Sequence, residues 1–166
     1  MAIRPLLLFP DPLLRRPALP IVEFDQHAAS LADDLRDTLA SVAAIGLTAC
    51  HIGVLRRVVV IRMAPGEPAR TYLNPGILWS SRETQKHEEG SVSMPGIRET
   101  IERPARVRVG YQDSAGTAAE EDASGFAAAV LQHGIDQLDG IFWIDRLSRL
   151  KRERLTTRFE KLQRRR

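Results

Sequence analysis

At 166 residues, with 43% hydrophobic and 27% charged residues, the chain has the size and composition of one soluble domain, residues 1–166, able to bury its own core. The formal charge is only +3, yet the tail KRERLTTRFEKLQRRR, residues 151–166, carries eight Lys/Arg against two Glu, so the body before it is net acidic. The single cysteine, Cys50, argues against a disulfide framework and fits a reducing, cytoplasmic setting; no stretch is long enough to span a membrane, and the apolar run at 6–9 is too short for a signal peptide.

Residues 3–9 read as a short strand or extended arm, and the prolines of FPDPLLRRPALP then predict a loop laid over the surface. From 26 to about 42, Leu31, Leu35, Leu39 and Val42 form an apolar stripe opposite Asp33, Asp34, Arg36 and Asp37, the pattern of an amphipathic helix. The small residues and glycines of AAIGLTACHIG suggest a close backbone approach to a helix or a pocket. VVVI within 57–62 predicts a central strand, APGEPAR a turn, and TYLNPGILW a second extended segment. SSRETQKHEEG reads as an exposed polar run, and Met94-Pro95-Gly96 as a fixed bend.

ARVRVGYQ alternates, with Val107, Val109 and Tyr111 on one side and Arg106 and Arg108 on the other, as in a half-buried strand. After a DSAG turn, Asp122 or Ser124 is placed to cap an apolar helix, GFAAAVLQHGIDQL, on whose face His133 and Gln137 lie four residues apart. Being apolar on nearly every side, this helix should be buried, which makes its few polar groups informative. IFWI follows as a buried extended piece. A basic C-terminal helix closes the chain, its inner face formed by Leu155, Phe159 and Leu162. Strands around an internal helix, without regular strand–helix alternation, point to an α+β class. Lys151, Arg152, Arg154, Arg158, Arg164, Arg165 and Arg166 form a basic patch, which suits an anionic neighbour such as nucleic acid or lipid headgroups, or serves as a solubilising face.

Three polar spots stand out: His51 beside Cys50, Ser91 after Glu89-Gly90, and His133 with Gln137. A metal site wants three strong ligands converging on one point. Of the histidines, at 27, 51, 87 and 133, only His51 and His133 fall in apolar surroundings. Taken alone, His133 reads as a core histidine hydrogen-bonded into the fold rather than as a ligand.

These stretches resemble, in order, the three signature motifs of the peptide deformylase family, which removes the formyl group from the N-terminal methionine of new bacterial and organellar proteins. Ala44-Ile45-Gly46-Leu47-Thr48-Ala49-Cys50-His51 resembles Gly-x-Gly-Leu-Ala-Ala-x-Gln. Glu89-Gly90-Ser91-Val92-Ser93 resembles Glu-Gly-Cys-Leu-Ser, and Gln132-His133-Gly134-Ile135-Asp136-Gln137-Leu138-Asp139-Gly140 resembles Gln-His-Glu-x-Asp-His-Leu-x-Gly. IRPLLLFPDPLLRRPALP, YLNPGI, RPARVRVGYQDSAG and IFWIDRLSRLKRERL are similar to family members as well. The resemblance implies antiparallel sheets around a central helix carrying the third motif, with a C-terminal helix.

It also implies a divalent metal held by the motif-two cysteine and the two motif-three histidines, a catalytic glutamate after the first histidine, and a glutamine that stabilises the oxyanion. Here Ser91, Gln137, Gly134 and His51 replace four of those groups, and only His133 is kept. A neutral hydroxyl and an amide are poor ligands beside thiolate and imidazole. The remnant set Ser91, His133 and Gln137 is therefore expected to hold no metal cofactor, and without a metal or a carboxylate at 134 no water is activated. Glycine at 134 also costs roughly 1 kcal/mol against alanine within a helix. Either the site lacks room for a side chain, or it opens space for something else, or the position has drifted since activity was lost.

Convergence of the family's motifs on its metal implies that Ser91 and His133 are near neighbours. That arrangement admits a serine–histidine hydrolytic dyad, with the Val92 N–H and His51 facing an oxyanion and no evident group to orient His133. It also admits a residual metal site built from His51 and His133 with water or Glu88. A third option is a metal-free pocket in which Ser91, His133, Gln137 and His51 satisfy one another. The groove beside Gly46, Leu47, Glu89, Gly90 and Val92 is suited to an extended N-terminal peptide. The basic tail is suited to RNA, as the family's ribosome docking implies.

Overall fold

The computed structural model describes residues 2–165. Helix α1 (Gln26–Ser41) begins where the Asp25 carboxylate accepts the N–H groups of His27 and Ala28, two donors its first turn cannot satisfy internally. Among the described residues, seven strands follow: β1 (Gly46–Thr48), β2 (Val58–Ile61), β3 (Arg70–Ser80), β4 (Thr84–Gly90), β5 (Arg98–Pro104), β6 (Arg106–Gln112) and β7 (Ala118–Ser124). Helix α2 (Gly125–Leu138) and helix α3 (Arg149–Gln163) complete the chain. The main sheet is antiparallel in the order β1-β2-β3-β6-β7, and β4 and β5 form a separate antiparallel ribbon.

The unbroken apolar run of β2 follows from its place between two helices, since successive side chains of a strand point to opposite faces. Val58 and Val60 pack with Leu35 and Leu39 of α1, while Val59 and Ile61 pack with Leu131 and Ile135 of α2. A third cluster joins Met94, Ile97 and Ile101 to Phe142, Trp143, Leu155 and Phe159, so α3 is anchored beside the ribbon. The result is the α+β architecture expected: antiparallel sheets, a central helix and a C-terminal helix.

Several local expectations need correction. Of the two forms expected for residues 3–9 the chain takes the extended arm; its Leu7 and Phe9 N–H groups bond the carbonyls of His51 and Ser93, which ties it to the two short motifs. The polar run before Gly90 is strand β4, paired residue by residue with β5, which the charged sequence RETIERP hides. IFWI is buried as expected, but Trp143–Arg146 coils into a 3-10 turn. Ser124 stands at the N-cap of α2 without a side-chain bond, and Asp122 is drawn off by Arg108 at 2.7 Å. Gly46 lines a cavity, though its own packing is ordinary, since a Cβ there would meet its nearest neighbour at 3.5 Å. Closer backbone approaches are at Gly90, where a Cβ would lie 3.0 Å from the Ile97 carbonyl oxygen, and at Gly140, where it would lie 2.8 Å from that of Arg15.

Candidate functional site

A cleft of about 1480 Å³ opens between β1, the end of β2, the turn after β4 and the face of α2. Gly46, Leu47, His51, Glu89, Gly90, Ser91, Val92, His133 and Gly134 all line it, so the three short motifs meet on one cavity. Gln137 does not line it. Four helical residues turn through about 400°, leaving i and i+4 offset by some 40°. Here the 3-10 turn Pro12–Arg15 covers the far end of that face: Gln137 is buried and its Nε2 donates to the Leu14 carbonyl at 2.7 Å. Gln137 therefore takes no part in mutual hydrogen bonding with His133, contrary to expectation.

His133 lies against Glu89, with Nδ1 2.8 Å from Oε1. Glu89 is the orienting group that the sequence reading failed to find. Burial pushes its carboxyl up, but hydrogen bonds from His133 and Arg103 outweigh burial and hold it at about 2, so it is ionised. Arg103 grips both Glu89 oxygens through Nε and Nη2 at 2.6 and 2.9 Å and reaches Asp136 through Nη1 at 2.7 Å. Arg146 closes Asp136 from the other side at 2.6 and 2.9 Å. Asp136 thus serves this ion-pair network. The network fixes β4, β5 and α2 to one another beneath the cleft.

His51 is held by the turn at Ala49–Ile52: the Thr48 N–H donates to its Nδ1 at 3.0 Å. An imidazole that accepts at Nδ1 carries its proton on Nε2. That Nε2 is buried and has no partner among the described residues. Burial, and then the charge of His133, push the His51 pKa down to about 3, so the ring is neutral. Cys50 beside it is fully buried, its thiol pushed up to about 11 by burial, and so offers no thiolate.

Ser91 sits at the start of the turn, its Oγ accepting the Ser93 N–H at 3.1 Å. Glu88 points to solvent, where it pairs with Arg98 at 3.0 Å, and so does not join His51 and His133. At Gly134 a Cβ would stand 3.1 Å from Val59 Cγ1, so the helix lies tight on β2 there and crowding accompanies the missing side chain. Of the other histidines, His27 is exposed at the start of α1, and His87 lies on β4 beside the Phe126 ring. Among the described residues, no group of three or more His, Cys, Asp or Glu is placed to hold a metal ion.

Of the basic patch, Lys151 pairs with Glu99 at 3.4 Å and Arg152 with Asp145 at 3.7 Å. Arg154, Arg158, Arg164 and Arg165 are exposed, Arg158 at the edge of the cleft. Arg166 lies outside the described residues. Among the described residues, no helix is long and apolar enough to cross a membrane.

The family model for polypeptide deformylase matches residues 3–153. A peptide deformylase-like protein of Rhizobium meliloti (strain 1021) is 54% identical over 99% of this chain and 95% of its own length. A peptide deformylase of Phenylobacterium zucineum (strain HLK1) is 42% identical, covering 97% of each. Among solved structures, a peptide deformylase from Legionella pneumophila superposes with a TM-score of 0.92 at 35% identity, over 98% of this chain and 96% of that one. Sequence, fold and the meeting of three motifs on one cleft agree: the chain belongs to the polypeptide deformylase family.

Proposed function

We propose that this protein keeps the deformylase fold without metal-dependent deformylase chemistry and uses the cleft to bind an extended peptide. The observation that carries this reading is the donor set at the family's metal position. Ser91 offers a neutral hydroxyl, Gln137 is turned onto the Leu14 carbonyl, and Gly134 brings no carboxylate. His133 alone is a strong ligand there, and a divalent ion does not fit one imidazole beside a hydroxyl. Peptide binding needs none of this: the edge strand β1 and the Gly90–Val92 segment offer backbone groups to an extended chain. The exposed arginines of α3 are suited to an RNA surface such as the ribosome, in keeping with a protein of the translation-linked cytoplasm. Protein purified anaerobically is expected to hold substoichiometric metal, to bind an N-formyl-methionyl peptide, and to release no formate from it. One ion per chain together with steady formate release would overturn the reading.

The Glu89–His133 hydrogen bond favours a second reading, a metal-free hydrolase of N-acyl peptides. An ionised carboxylate that holds His133 through Nδ1 leaves Nε2 free to act as the base for Ser91. Under this reading Ser91→Ala and His133→Ala each abolish turnover of an N-acyl peptide while the melting temperature stays close to the parent value. Turnover unaffected by Ser91→Ala would exclude the dyad.

A further inference from the structure

The three motifs leave the far face of the main sheet unused. Val107 and Val109 of β6 are buried against α2, so Arg106 and Arg108, each one residue away, point to the opposite face. Helix α1 covers that face where Val58, Val60 and Leu73 lie. Farther along, β3, β6 and β7 carry a hollow of about 500 Å³ whose lining includes Trp79, Arg106, Arg108, Asp122 and Ser124 and shares no residue with the cleft. Strand register explains the grouping: Trp79 stands opposite Arg108, Arg108 opposite Asp122, and Arg106 opposite Ser124.

In this hollow the donors outnumber the acceptors. Arg108 holds the Asp122 carboxylate through Nε and Nη2, at 2.7 and 3.1 Å, which leaves its Nη1 without a partner among the described residues. Arg106 has only a 3.6 Å contact with Glu83, and both of those side chains are more than half exposed. Ser124 makes no side-chain bond at the start of α2. Guanidinium and hydroxyl donors left over in one place call for an anion with several acceptor oxygens. Beside them the Trp79 indole is 54% exposed and makes no ring or cation–π contact among the described residues. An open indole face next to free donors suits a planar ring joined to that anion.

We infer that this hollow binds a nucleotide, its base stacked on Trp79 and its phosphate held by Arg106, Arg108 and Ser124. The nucleotide is either free or part of a single RNA strand, since both present the same ring and phosphate. The site is independent of what the cleft binds.

The chain has two tryptophans, and Trp143 is 1% exposed, so quenching of emission by a stacked base reports on Trp79. Adenosine 5′-monophosphate is expected to quench saturably, adenosine about tenfold more weakly, and inorganic phosphate not at all. In ¹H–¹⁵N spectra the indole N–H of Trp79 moves with the nucleotide while that of Trp143 stays. By calorimetry, Trp79→Ala is expected to weaken the monophosphate about tenfold and Trp79→Phe to recover most of that loss. Arg106→Gln narrows the preference for the monophosphate over adenosine severalfold and leaves adenosine binding unchanged. All three substitutions alter exposed side chains and should melt near the parent temperature. Tighter binding of an adenylate octanucleotide than of the monophosphate, weakened by salt, identifies an RNA strand as the source, and equal or weaker binding identifies the free nucleotide. No saturable quenching by either, equal affinity for the monophosphate and adenosine, or unchanged nucleotide binding by Trp79→Ala each overturns the inference.

Discussion

Replacing Arg103 by alanine is expected to cost about 3–5 kcal/mol of folding stability, the range for breaking a buried ion pair from one side. Arg103 is 4% exposed and carries three hydrogen bonds to two carboxylates that are themselves buried, Glu89 and Asp136. Without it, Glu89 keeps only the His133 nitrogen and Asp136 only Arg146. Arg103→Lys preserves the charge but not the planar fork, so it is expected to fall between the two, because one ammonium group cannot serve all three bonds. Urea denaturation near neutral pH measures the difference. A loss well under 1 kcal/mol would mean that the network is solvated and does not hold β4, β5 and α2 together.

The same network sets an acid limit. Glu89 is held at about 2 against an ordinary value of 4.5, so protons bind the unfolded chain more readily than the folded one. Its contribution is therefore complete above about pH 4.5 and is lost as pH falls toward 2. In the Arg103→Ala chain, part of that acid-side loss is already incurred at neutral pH. Its stability should consequently fall less steeply through this window than that of the parent.

What could be read from the chain and what could not divide along physical lines. Apolar periodicity exposed α1, β2, β6 and α2, because each buries a continuous face and burial leaves a pattern. It could not expose β4 and β5, a ribbon whose outer side chains are charged and whose pairing is carried by backbone groups. The meeting of Gly46, Ser91 and His133 on one cleft was legible only through the family resemblance, since no local pattern reports a contact between distant segments. Glu89 was named as lining the groove, yet its partner Arg103 and the bond to His133 were invisible. An ion pair across two elements leaves no spacing in the sequence, and a buried arginine looks like a surface one. Gln137 differs from expectation for a related reason: helical spacing puts it near His133, and only the position of the turn at Leu14 decides which neighbour it meets.

The largest change expected is a gain. If only the donor chemistry has been lost, then Ser91→Cys, Gly134→Glu and Gln137→His together should convert the cleft into a site that holds one equivalent of zinc or ferrous iron. Formate release from an N-formyl-methionyl peptide should then rise from background to a readily measured rate that chelators abolish. Each substitution alone should give almost nothing, because a divalent ion needs three strong ligands at once and residues that act as a unit are grossly non-additive. At 137 an imidazole can keep one N–H for the Leu14 carbonyl that Gln137 now serves and turn its other nitrogen to the ion, the usual division of labour in a metal-bound histidine. At 134 the new Cβ meets Val59 Cγ1 at 3.1 Å, so β2 must yield by a few tenths of an ångström. Glutamate recovers part of the roughly 1 kcal/mol that glycine costs against alanine in a helix, which works against that strain. A triple variant that melts near the parent temperature and binds zinc without producing formate would place the loss elsewhere, with His51 in place of the family's glutamine as the next position to restore. One that folds yet binds no metal would show that the cleft has changed shape as well as chemistry, and the account of Ser91, Gly134 and Gln137 as the seat of the change would fail.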